Sequence, residues 1–200
     1  MSSAPGPAAR SASEEARRMP MVVLETERLT LRAFTDSLID DVLAAMTDPE
    51  TRRWLPLPEP GRPYTRADAE EWCRVTAPSM RATGDGQQWA VTVTATGDFA
   101  GAVGLLRTRW PSLVTEVGYW FSPRFRGSGY ATEAVTAVSR WAILDQEMER
   151  VELKAATGNR ASRRVAEKAG FTFEGIERNA MPLHRGRTDL AAYSLIPSDL

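Results

Sequence analysis

Two residue types that build many small catalytic centres are almost missing from this 200-residue chain, which has one cysteine, Cys73, and one histidine, His184. A single cysteine excludes a disulfide within the chain, and the pair argues against a zinc site of the usual His/Cys type. Cys73 is expected to sit inertly in a core or on a half-buried helix. An excess of charge is missing too: 25 basic and 26 acidic residues leave a formal net charge of −1. The chain as a whole therefore offers no electrostatic case for nucleic acid or for an anionic membrane surface. No run of about 18 apolar residues is present, so no membrane-spanning helix is expected. The first twenty residues, MSSAPGPAARSASEEARRMP, lack the apolar segment of a secretory signal. The simplest address is cytoplasmic. Their Ala/Ser/Pro/Arg content, without apolar periodicity, predicts a disordered arm over 1–20 ahead of a single domain over 21–200.

What is present is periodic. VVLETERLTLRAF, from Val22, alternates branched and polar residues and predicts a first strand with a kink. Leu38, Ile39, Val42, Leu43 and Met46 recur at helical spacing, and Asp48-Pro49 ends that helix. RRWLPLPEPGRPY is crowded with proline and predicts a loop with exposed aromatics. Thr65-Arg66-Ala67-Asp68 has the form of a capping box opening a second helix. The period then drops to two over Gln88–Thr94, Phe99–Arg109 and Thr115–Phe121, three successive antiparallel strands. A helix with an apolar face from Ala131 to Ile143 follows, then a strand over Val151–Ala155. Asn159 starts another helix, and a strand pair, Phe171–Ile176 and Leu190–Leu195, closes the chain across an Arg/Gly-rich loop. The total is about seven strands and four helices, an α+β or α/β sandwich around a mixed sheet.

Between the third antiparallel strand and its helix lies RFRGSGYATEA, Arg124 to Ala134. Three phosphate-binding motifs compete for it. A Walker A loop requires a lysine after the second glycine, and none is near. A dinucleotide fingerprint requires a third small residue at a spacing this stretch does not keep, and an early position in a βαβ unit. An [RQ]-x-x-G-x-[GA] loop fits: Gly127 and Gly129 let the backbone curl so that N–H groups of Ser128, Tyr130, Ala131 and Thr132 converge, and the helix dipole adds its positive end. Arg124 or Arg126 is placed to add charge-assisted bonds. The plainer alternative is a tight strand-to-helix turn with solvated arginines.

TEVGYWFSPRFRGSGYATEA followed by NRASRRVAEKAGFTFEG, with ETERLTLRAF before and G-R-T-D-L…Y-S-L after, resembles the GNAT N-acetyltransferases, and within them the RimJ/RimL-like branch that modifies ribosomal-protein N-termini. The resemblance runs from Leu24 to about Ile196. It implies a mainly antiparallel sheet splayed between the fourth and fifth of seven strands, and acetyl-CoA as co-substrate without a metal. It also implies direct transfer of an acetyl group to a primary amine. The pantetheine arm would lie in the splay against backbone groups near Phe121, with its pyrophosphate on the glycine loop.

The same resemblance suggests roles for side chains. Glu116 becomes the general base, acting through water, against the alternative of a surface glutamate on an alternating strand. Asn159 would bond the pantetheine arm, although asparagine is also a common N-cap. Ser162 would donate a proton to the departing thiolate, directly or through water. Some relatives carry a glutamate base where this chain has Met181, and His184 stands near in sequence as an understudy base, with a merely exposed loop histidine as the alternative. Trp54, Tyr64 and Trp110 are candidates for the acceptor wall, against the common fate of aromatics in core packing. The acceptor is expected to be the amine of a peptide or protein N-terminus, or else a small molecule such as an antibiotic, amino acid or polyamine. A non-catalytic acyl-CoA-binding module is the alternative of another class. A monomer or a homodimer is compatible with all of these.

Overall fold

The structure, a computed structural model, describes residues 17–200. Residues 1–16 of the expected arm lie outside the described residues. Order nevertheless starts before Met21: Met19 is buried in the main core, and the Val22 carbonyl accepts a 2.8 Å bond from the buried Trp89 indole N–H.

Eight strands form one sheet in the order β1-β2-β3-β4-β5-β6-β8-β7. They are β1 (Leu24–Glu25), β2 (Leu29–Arg32), β3 (Gln87–Val93), β4 (Phe99–Arg109), β5 (Val114–Phe121), β6 (Arg150–Ala156), β7 (Thr172–Pro182) and β8 (Arg187–Leu195). The expected first strand is two, because the chain reverses over Thr26–Arg28 and Leu24 pairs with Leu31. Every neighbouring pair is antiparallel except β5–β6, which is parallel and short. The last hairpin is longer than its sequence suggested, with Met181 opposite Thr188 and Pro182 opposite Arg187.

Helices cover both faces. On one lie α5 (Tyr130–Leu144) and α6 (Arg160–Lys168), packed over Trp89, Val103, Leu105, Val117, Val151, Leu153 and Tyr193. Trp89 and Trp141 meet edge to face at 5.3 Å, a preferred aromatic geometry. On the other face lie α1 (Ile39–Thr47), α2 (Pro49–Trp54), α3 (Arg66–Glu71) and α4 (Ala77–Thr83), enclosing Leu38, Val42, Tyr64, Cys73, Ala90 and Phe99. The capping box at Thr65–Asp68 is present, and α3 continues into α4 through a π-helical turn that carries Cys73. Burial raises the Cys73 thiol to about 11, so it stays protonated and inert.

One helix contradicts the sequence reading. Pro49 does not merely end α1; it occupies the first turn of α2, where its missing N–H costs nothing, while the Asp48 carboxylate caps Thr51 N–H at 2.8 Å. Arg52, Arg53 and Trp54 are thus helical, and the proline-rich loop starts only after them.

Candidate active site

The parallel β5–β6 ladder pairs only Val114–Glu116 with Arg150–Glu152. Beyond Glu116 the strands part. On the facing edges, 117–121 of β5 and 153–156 of β6 have no strand partner, although their other edges are fully paired with β4 and β8. Backbone amides along such a gap need another polar chain or water.

At the mouth of the gap β5 leads into the glycine turn. Gly127 and Gly129 have φ of +77° and +83°, a region open to glycine at little cost. Gly129 caps α5 without a side-chain oxygen to accept from the first turn. None of the six N–H groups from Gly127 to Thr132 donates to an acceptor among the described residues; the first amide of the turn that does is Glu133, bonded to the Gly129 carbonyl. Six successive orphan donors at a helix N-terminus make an anion cradle.

The arginines expected to help are committed elsewhere. Arg124 pairs with Asp98 at 3.1 Å. Arg126 pairs with Asp48 at 2.6 Å and also donates to the Thr51 hydroxyl and the Phe121 carbonyl. Short carboxylates within reach, far apart in sequence, decide this. A third arginine, not singled out by the sequence, braces the cradle: Arg28 donates to the Ser128 carbonyl and to Glu133, with its guanidinium 4.8 Å from the Tyr130 ring centroid. Burial works to raise the Glu133 carboxyl, but bonds from Thr26, the Arg28 N–H and the Arg28 guanidinium together hold it below the usual range. The T-E-R segment of the first hairpin therefore serves to fix the start of α5.

Glu116 sits on the last paired rung, at the apex of the gap, buried to 9% exposure. Both of its oxygens accept from Arg107 Nη1 at 2.8 Å. By strand alternation it shares the α1–α4 face with Trp120. It heads a row of ion pairs on that face: Arg109 and Arg150 on Glu152, Arg150 on Glu174, and Lys154 on Glu177.

Ser162 lies across the gap, and its hydroxyl meets that of Tyr119 at 2.8 Å. Sequence reasoning passed over Tyr119, whose partner is 43 residues away. Burial pushes its phenol up to about 12 against the opposing bond from Ser162, so it remains a neutral hydroxyl. The pair lies on the α5–α6 face, opposite Glu116. Asn159 caps α6, accepting from Ser162 N–H at 3.1 Å.

Helix α2 spans the gap's mouth. Its N-terminal end is tied to Arg126 through Asp48 and Thr51. At its other end Trp54 lies so close to Gly158, just past β6, that a Cβ there would be 3.1 Å from the indole. Between α2 and the β7–β8 hairpin opens a recess of about 620 Å³, lined by Thr47, Pro49, Arg52 and Arg53 on one side and Leu183, His184 and Arg185 on the other. A smaller one, about 220 Å³, lies along α6 among Arg160, Arg163, Arg164 and Glu167.

Three expected site residues are reassigned. Tyr64 is 9% exposed inside the α1–α4 core, its phenol raised by burial. Trp110 bonds the Gly84 carbonyl at 2.8 Å and lies under Arg17, at the start of β5. Eight residues of strand, about 23 Å, separate that end from the glycine turn. His184 reaches the recess, but Nδ1 accepts from the Gly61 N–H at 3.0 Å. The lone pair of a neutral ring is then already used, which removes the understudy base. Its Nε2 and the Arg52 Nε are buried without a partner among the described residues, and each such group costs about 1–3 kcal/mol. Met181, half-buried in β7, offers no carboxylate. Among the described residues no cluster of three or more His, Cys, Asp or Glu side chains is placed to hold a metal, and no helix is long and apolar enough to cross a membrane.

Residues 28–172 match the acetyltransferase (GNAT) domain family. YdaF of Bacillus subtilis, whose name provisionally makes it a ribosomal N-acetyltransferase, is 34% identical over 100 residues, 50% of this chain and 55% of YdaF. The match thus spans about half of that relative's length. YoaA of the same organism, named an uncharacterized N-acetyltransferase, is 25% identical over 176 residues, 87% of this chain and 96% of YoaA. The solved structure of Mycobacterium smegmatis RimJ in complex with CoA-disulfide superposes with a TM-score of 0.77 at 17% identity, over 86% of this chain and 83% of that one.

Proposed function

From a chain that belongs to the GNAT acetyltransferase family, resembles its RimJ/RimL-like branch and is therefore an acyltransferase, we propose transfer of an acetyl group from acetyl-CoA to the N-terminal amine of a peptide or protein. The observation that carries this reading is the run of unanswered N–H groups from Gly127 to Thr132 at the mouth of a gap whose backbone edges are unpaired. A pyrophosphate suits the cradle without lysine or metal, and the amides of a pantetheine arm suit strand edges that lack a neighbour. The basic row of Arg160, Arg163 and Arg164 on α6 supports a ligand with further phosphate.

Bound acetyl-CoA would supply an activated acyl group and a good leaving thiolate. The chain's own residues supply the rest. Glu116 faces one side of the gap and the Tyr119–Ser162 pair faces the other, so an amine and a leaving sulfur are served from opposite faces. Ser162, backed by the protonated Tyr119, presents a hydroxyl that can pass a proton outward. The Glu116 carboxylate is already engaged by Arg107. An acceptor that is neutral without much help fits this arrangement best. An N-terminal amine, with pKa about 8, needs far less help than a lysine at about 10.4.

Thiol release from acetyl-CoA, followed with peptides, free amino acids, polyamines and aminoglycosides, tests the proposal, with product masses locating the acetyl group. Acetylation at a peptide α-amine is expected. Release with lysine side chains or aminoglycosides alone would overturn the acceptor, and absence of acetyl-CoA binding would overturn the whole reading.

A further inference from the structure

The recess between α2 and the β7–β8 hairpin carries charge that acyl transfer as such does not require. Arg52, Arg53 and Arg185 are cationic, His184 presents a ring N–H, and no acid lines the wall. Arg53 is partly answered by Glu50 and lies against Trp54. Among the described residues Arg52 and Arg185 have no carboxylate within ion-pairing distance. Arg52 Nε is buried with nothing to donate to. With Gly61 N–H on Nδ1 of His184, the proton of the neutral ring stays on Nε2, and that N–H is likewise buried and unanswered. Two buried, unanswered donors on residues that line one recess of net positive charge lack one thing, an anionic oxygen.

A carboxylate suits this set better than a phosphate. The planar fork of Arg52 and the neutral ring N–H of His184 match the two oxygens of one planar carboxylate, and Arg185 adds a second unpaired positive charge. The one residue of a helix N-terminus in the lining, Pro49, has no N–H, and the lining residues include no run of successive backbone N–H groups of the sort that the glycine turn offers to phosphate.

We propose that the acceptor carries a carboxylate besides the amine that is acetylated, and that Arg52, His184 and Arg185 hold it. The inference rests on the acetyl-transfer reading above. Two sources share this chemistry: an acidic side chain near a peptide N-terminus, and the α-carboxylate of a free amino acid.

Initial rates decide between them. Matched peptides differing only in Glu or Gln at the second, and separately the third, position provide one arm. Glycine against glycinamide provides the other, and a phosphoserine peptide tests phosphate. The expected result is a KM about 10- to 100-fold lower for the acid than for its amide in one arm, with the gap closed in both R52Q and R185Q. Circular dichroism confirms the fold of each variant. Equal KM for acid and amide in both arms, with thiol release intact, would overturn the inference. So would a gap that survives in both variants, or a phosphopeptide that outcompetes the carboxylate. If no amine releases thiol, the acetyl-transfer reading fails instead; titration calorimetry with N-acetylated Glu and Gln peptides then tests the recess alone, and equal affinities overturn it.

Discussion

Gly127 and Gly97 form a matched experiment within one molecule. Their φ values are +77° and +75°, and a Cβ added at either would meet nothing within 4 Å. Replacing either by alanine therefore adds no clash and only the left-handed backbone penalty, about 1–2 kcal/mol. Each variant should lose a similar 2–8 °C in Tm, taking 2–4 °C per kcal/mol for a chain of this size. They part company in ligand binding. Gly97 lies in the β3–β4 turn, far in role from the cradle, whereas Gly127 aims its own N–H and those after it. If alanine turns two of those donors aside, each worth about 1.5 kcal/mol or more to a charged oxygen, coenzyme A affinity should fall about 100-fold in G127A. G97A should keep the wild-type affinity. Titration calorimetry with coenzyme A, alongside thermal melts, reads both quantities. Equal affinities for the two variants would refute the cradle, and equal losses would show that global strain, not the turn, governs binding.

Two further outcomes follow from the hydrogen-bond and charge network. Y119F removes the hydroxyl that backs Ser162; kcat should fall about tenfold, the equivalent of about 1.4 kcal/mol, with KM for acetyl-CoA little changed, and an unaltered kcat and pH profile would leave Tyr119 a packing residue. Stability should fall in acid. Glu174, bonded by Arg150 and Ser194, and Asp68, bonded by Arg62 and Thr65, are held down to about 2. Their folded pKa values lie below the unfolded ones, so their contribution is complete above about 4.5 and is lost as pH falls toward 2. Melts between pH 8 and 2 should show a plateau and then a decline in that window; a Tm unchanged at pH 3 would contradict it.

The sequence carried its own evidence for the middle of the fold, because period-two strands, a glycine turn and an amphipathic helix are all local signals. Where local signals coincide it was ambiguous. A proline after aspartate can end one helix or open the next, and Pro49 does the latter behind the Asp48 cap. Strand β7 is an edge strand exposed on both sides, so Thr172–Pro182 shows little alternation and its outer half read as loop. The geometry of the candidate site was legible where it is backbone, in the left-handed turn at Gly127 and Gly129, while the roles given to side chains such as Ser162 came from the resemblance alone. It was illegible where it depends on distant partners: Arg28 finds Glu133 across 105 residues, Arg126 finds Asp48 across 78, and Tyr119 finds Ser162 across 43. Aromatic content could not separate Trp54, which reaches Gly158 at the gap, from Tyr64 and Trp110, which fill structural positions.

Helix α2 has a thermodynamic consequence. Its N-cap Asp48 and its Thr51 touch Arg126 beside the glycine turn, and its Arg52 and Arg53 form one wall of the cationic recess. A ligand that draws Arg126 away from Asp48 and Thr51 releases the tie on the N-terminal end of the helix whose next residues, Arg52 and Arg53, line the recess. If a donor at the glycine turn and an acceptor in the recess both shift this element, each changes the other's affinity by the same factor. In that case the substrate that binds first sets the posture of the wall that the second one meets.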